Sequence, residues 1–90
     1  MCTYQTTLVE LRGSAKGRDG WFRASEASVY VDHPVHAPAT HTLNVDVRNP
    51  AMGAGARVAL ELDAISARRL AVAILSALDD APPGLFDASD

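Results

Sequence analysis

The hydrophobic pattern of the chain changes period at residue 63, and that change restricts the fold more than any other feature. From Thr42 to Arg48 the residues alternate, with Leu43, Val45 and Val47 on one side and Thr42, Asn44, Asp46 and Arg48 on the other. Ala56 to Leu62 alternates again, and Val58, Leu60 and Leu62 are expected inward. A period of two describes half-buried strands. Asn49-Pro50 and Gly53-Ala54-Gly55, which lie between these runs, supply a turn. After Asp63 the spacing becomes helical. Ala67, Leu70, Ala71, Ile74 and Leu78 form one stripe at three- and four-residue intervals, and Ala81-Pro82-Pro83-Gly84 stops it. Asp63 suits the N-cap, where its carboxylate accepts a first-turn N–H and meets the positive end of the helix dipole.

Upstream, Thr3 to Arg12 is rich in β-branched residues and reads as a strand. Gly13 to Gly20 holds three glycines in eight residues and reads as a mobile surface loop or a long hairpin connection. Trp21 to Asp32 is a second extended segment. Phe22 and Ala24 take one parity and Val29 and Val31 the other, so a bulge or break is expected near Ser25-Glu26. Trp21 and Phe22 are expected to be core or to wall a pocket.

The predicted architecture is α+β: a four-stranded, mainly antiparallel sheet followed by one C-terminal helix packed on its apolar face. Residues 1–86 form a single small domain, and 87–90 are an acidic, frayed tail. Ile65 and Val72 lie on the helix flank away from the main stripe. That points to a second neighbour, either a second copy related by a two-fold axis or a cover supplied by a strand edge or by Leu85-Phe86.

Ninety residues suit one domain with a thin core. A net charge of −3 lacks the basic surface that nucleic acid requires, so no nucleic-acid partner is expected. No apolar run approaches the length of a membrane span, and MCTYQTTLVE lacks the pattern of a secretory signal, so no membrane is expected. Cys2 is the single cysteine, which agrees with a reducing cytoplasm.

All three histidines fall in Asp32-His33-Pro34-Val35-His36-Ala37-Pro38-Ala39-Thr40-His41. Neutral imidazole is the commonest protein ligand for transition metals, and two prolines lower the entropy lost when such ligands are held in place. His33, His36 and His41 are therefore candidate ligands for a divalent ion, zinc first, with iron or copper as alternatives. Asp32 and Asp46 are candidates for a further ligand or for groups that orient the imidazoles. Asp-His-Pro is equally ordinary turn chemistry, and no His-Glu-x-x-His or paired Cys-x-x-Cys spacing occurs.

Cys2 and Asp46 are the candidate catalytic residues. Removal of Met1 would expose the Cys2 amine beside its thiol, a pair able to chelate a metal or to act as an N-terminal nucleophile; the plainer role is a small buried hydrophobe. Lys16 and Arg18 among glycines do not match the phosphate-loop spacing.

Taken together, Met1-Cys2-Thr3-Tyr4, Gly20-Trp21-Phe22, Val29-Tyr30, Asp32-His33-Pro34-Val35-His36-Ala37-Pro38, His41-Thr42-Leu43-Asn44, Arg48-Asn49-Pro50 and Ala81-Pro82-Pro83-Gly84-Leu85 resemble a family of short uncharacterised actinobacterial proteins, a domain of unknown function. The likeness spans nearly the whole chain. It implies a cytoplasmic bacterial protein of unassigned role. Ala15 departs from it, standing where glycine would be expected.

Three functions are compatible with these residues. The first is a metal-binding domain, or a small metalloenzyme, on the three histidines. The second is a metal-free small-molecule or acid–base module, with the histidines beside Trp21, Tyr30 and Asp46. The third is a structural or regulatory homodimer.

Overall fold

A computed structural model describes residues 5–86. Four strands, β1 (Thr7–Gly17), β2 (Gly20–Asp32), β3 (Thr42–Arg48) and β4 (Arg57–Leu62), are followed by one helix, α1 (Ala64–Asp79). The strands pair antiparallel in the order β1-β2-β3-β4, a meander in which each strand lies beside its neighbour in sequence. A 3-10 turn at Pro50–Met52, capped by the Asn49 side chain accepting from the Ala51 amide, joins β3 to β4.

The glycine-rich segment is not a loop. Gly13 to Gly17 pairs with Ala24 to Gly20, and only Arg18-Asp19 turn the chain. Gly17 serves close approach. A Cβ on Gly17 would stand 3.2 Å from the Arg57 carbonyl oxygen and 3.2 Å from Phe22 Cε1. Gly20 has φ +109, a backbone that side chains oppose. The expected irregularity lies level with Ser25, but on the other strand: the register shifts between Glu10 and Gly13 of β1.

Phe22, Ala24 and Ala56 form the buried apolar cluster, with Leu11, Ala15, Val47 and Val58 packed around it. Val47 and Val58 stand level with Ala27 in the ladder, so residues of both β2 parities reach one core. The extended hairpin arm thus closes over the β3–β4 end of the sheet. Trp21, at the start of β2, is 71% exposed and lies outside the core.

The alternation of β3 is real, but its burial is inverted. Thr42, Asn44 and Asp46 are buried, whereas Leu43, Val45 and Val47 are half-buried. The polar side is covered because its side chains hydrogen-bond one another and the 33–41 loop docks on neighbouring β4. Thr42 Oγ1 donates to Asn44 Oδ1 at 2.6 Å, and Arg48 bonds Glu26 and Ser28. The apolar side waits on the helix, which covers only part of it.

α1 forms as expected. Asp63 Oδ1 accepts the Ser66 amide at 2.7 Å, and the helix ends at Asp79 before Pro82-Pro83. Ala64, Ala67 and Ala71, in its first turns, face Val31 and Leu43 across a cleft of about 480 Å³. No residue of the helix is buried. The helix follows the sheet and touches β3 and β4, but it does not close the apolar face. Leu70, Ile74 and Leu78, assigned to the sheet by their spacing, remain exposed, as do Ile65 and Val72 on the other flank.

Candidate functional site

The 33–41 loop is placed by sheet register more than by its prolines. Asp32 and Thr42 are the last rung of the β2–β3 ladder. His33 and His41 are the next residue on either strand, so the ladder itself sets their rings side by side. The ring centroids are 4.5 Å apart, with planes inclined by 37°. Asp32 Oδ1 accepts the His33 amide at 2.7 Å and fixes the start of the loop. His33 Nδ1 lies 3.1 Å from the Thr40 carbonyl oxygen. A carbonyl only accepts, so this contact is a hydrogen bond when Nδ1 carries the proton, which in the neutral ring leaves the lone pair on Nε2.

His36 goes elsewhere. The amides of Val35, His36 and Ala37 all donate to the Glu61 carboxylate of β4, at 2.6, 2.9 and 3.0 Å. Pro34 and Pro38 bracket this run and contribute no N–H of their own. One side chain therefore satisfies three successive donors that no strand could pair. The expected convergence of three imidazoles is not seen. Among the described residues, no three of His, Cys, Asp and Glu are grouped to hold a metal ion. Cys2 lies outside the described residues.

Nothing in the sequence marked Glu61 beyond its parity with the polar side of β4. Its acidity follows from its partners: the amides of Val35 and His36 hold its carboxyl below the usual carboxylate range. A carboxylate with a lowered folded pKa adds stability above its unfolded pKa, and that stability is lost as pH falls through the folded value. The loop is therefore expected to release under acid. Amide protection at Val35, His36 and Ala37 should persist at neutral pH and collapse below the ordinary carboxylate range, and Glu61→Ala should remove it at every pH. Unchanged protection in that variant would refute the clasp.

Asp46 also sits apart from the paired rings. Its Oδ2 accepts from the Tyr30 hydroxyl at 2.9 Å and its Oδ1 from Arg57 Nη2 at 2.8 Å, on the polar side of the sheet. The Asp46 hydrogen bond is the main reason the Tyr30 phenol is pushed up. His36, Ala37, Arg57, Ala59 and Glu61 line an open groove of about 630 Å³ above this network. Of the residues expected to share a pocket, Tyr30 and Asp46 are joined, His36 borders them through Arg57, and Trp21 is absent.

A model of a family of unknown function, DUF6295, matches residues 1–87. The chain belongs to that family. DUF6295 membership agrees with the resemblance carried by the loop and terminal motifs, and it assigns no activity. No curated protein and no solved structure matches the chain. No helix among the described residues is long and apolar enough to cross a membrane.

Proposed function

We propose that this DUF6295 domain binds a divalent transition ion through the paired rings of His33 and His41, with His36 outside the site. The observation that carries this reading is the ring pair itself, 4.5 Å between centroids, with His33 Nδ1 on a backbone carbonyl. Imidazoles that bind metals characteristically donate their second N–H in this way, which leaves the other nitrogen basic and aimed. Two rings bound at about 2.0–2.1 Å to one tetrahedral ion have centroids roughly 5 Å apart.

Two protein ligands leave the remaining positions to water or to an incoming group, so binding should be weaker than at a three- or four-ligand centre. Zinc is the first expectation, with copper or iron as the alternatives. Calorimetric titration of tag-free protein with zinc tests the reading. His33→Ala and His41→Ala should each weaken binding at least about tenfold, the loss of one of two ligands, while His36→Ala should leave it within about twofold. Equal effects at all three positions, or no heat with wild type, would reject it.

A metal-free reading has its own support. His36 and Arg57 share the polar groove, whose size falls within the roughly 300–1,000 Å³ of small-molecule sites. Its charged lining is Arg57, already paired with Asp46, and the Glu61 carboxylate, so a small anion would have to compete for Arg57. Chemical-shift changes at His36 and Arg57 on adding simple dicarboxylates, abolished in Arg57→Gln, would favour it over the metal. Their absence would remove it.

A further inference from the structure

Sheet and helix stand apart where the sequence pattern expects them to pack, and the cleft between them has one chemical character. Val31 and Leu43 are paired directly across β2 and β3, and Val29 lies two residues along the same side. Ala64, Ala67 and Ala71 line the cleft from α1. Alanine methyls are too short to close it, and the larger Leu70, Ile74 and Leu78 are not part of its wall. Val31 remains 37% exposed. The volume of about 480 Å³ falls within the roughly 300–1,000 Å³ of small-molecule sites.

The polar part of the lining is small, and it is positive. Thr42 is buried, and its hydroxyl is committed to Asn44. His41 and Arg68 complete the wall, and no acidic residue is among the described residues that form it. The ion pairs found among the described residues join Arg18 to Asp19, Arg48 to Glu26 and Arg57 to Asp46, so none of them takes up Arg68. Apolar walls with a single cation complement an apolar anion. A strongly polar ligand would set its hydroxyls against valine and alanine methyls with no partners. An apolar cation would meet Arg68 like charge to like. A carboxylate suits the guanidinium fork.

We propose that this cleft binds a free straight-chain monocarboxylate, its hydrocarbon lying between α1 and the β2–β3 pair and its carboxylate on Arg68. Ala64 to Ala71 spans about 10 Å of helix, room for one chain of medium length and not for a bilayer surface. His41 borders both this cleft and the proposed ion site. The carboxylate rests on Arg68, however, and binding needs no ion, so the two readings stand or fall separately.

Calorimetric titration of the full chain with octanoate, in the presence of a chelator, tests this. Binding should saturate, and each methylene added from hexanoate to decanoate should tighten it by up to about fourfold. Methyl resonances of Ala64, Ala67 and Ala71 should move on binding. Arg68 is exposed, so Arg68→Gln should keep the fold, seen as unchanged circular dichroism, and weaken octanoate at least about threefold while leaving 1-octanol unchanged. Arg69→Gln, which lies outside the wall, should do neither. Ala71 is also exposed, and Ala71→Phe should fill the cleft and abolish both ligands. His33→Ala should leave octanoate binding intact. No saturable binding by the full chain would overturn the proposal, whether its own ends or a second copy fill the cleft. So would indifference to chain length, equal losses in Arg68→Gln and Arg69→Gln, or binding that requires added zinc and disappears with His33→Ala, which would place the carboxylate on the ion instead.

Discussion

Replacing Phe22 with alanine is expected to cost about 3–5 kcal/mol, a large loss for so small a domain. The reason is the poverty of the described core. Phe22 is 7% exposed, and its fully buried apolar companions, Ala24 and Ala56, are small. Phe22 alone therefore supplies most of the volume that joins the hairpin arm to the β3–β4 end. A domain of ninety residues has roughly 5–13 kcal/mol of total stability, so this one change removes a large share of it. Urea denaturation at fixed protein concentration measures the effect, because self-association would make apparent stability depend on concentration. Phe22→Leu should cost distinctly less. A loss below about 1 kcal/mol for alanine would mean that the sheet is held mainly elsewhere, with the helix the first place to look.

Asp46→Ala should be the next most damaging single change, at about 2–3 kcal/mol. Asp46 is buried and accepts from both Tyr30 and Arg57, and its loss strands a phenol and a guanidinium over the polar side of the sheet. Arg57 is half exposed, so water recovers part of that cost, which keeps the estimate below that of a fully buried pair. Asp46→Asn retains an acceptor and should cost less. A spectroscopic signature accompanies the change. Hydrogen bonding to Asp46 stabilises the neutral Tyr30 phenol, so its folded pKa is raised. The associated stability is fully present below the ordinary phenol pKa and is lost as pH rises through the higher folded value. In a Tyr4→Phe background, absorbance at phenolate wavelengths should show Tyr30 ionising late, and Asp46→Asn should bring that ionisation down. An unshifted titration in the variant would show that Asp46 does not hold the phenol.

These two residues show which parts of the fold the sequence disclosed. The parity change across Ser25 announced a break that brings Phe22 and Ala24 to the side of Val29 and Val31, and the core cluster agrees, since Val47, level with Ala27, packs against Phe22 and Ala24. The polar parity of β3 sets Asp46 on one side with Thr42 and Asn44, and that side is buried, with Asp46 bonded to Tyr30 and Arg57. Parity tells which residues share a side. It does not tell which side is covered, because the covering groups come from other strands and loops.

The loop histidines carry the same lesson. Proline spacing suggested three converging rings. The ladder brings two together, since positions 33 and 41 flank the Asp32–Thr42 rung, and Glu61 draws the middle of the loop toward β4. A hairpin register drawn through residues 32 and 42 would have paired His33 with His41. Glu61 was invisible because a carboxylate that collects three backbone amides from twenty-four to twenty-six positions away leaves no local pattern.

Local chemistry in the chain determined the four strands, the Asp63 cap, the helix and the Pro82-Pro83 stop, because period, capping and ring constraints act over a few neighbouring residues. Three things were decided only by tertiary structure: that the polar side of β3 is its buried one, that Glu61 anchors the loop, and that the helix leaves its apolar stripe uncovered. Each depends on which distant surfaces meet, and an alternating or helical pattern says which faces exist without saying what lies against them.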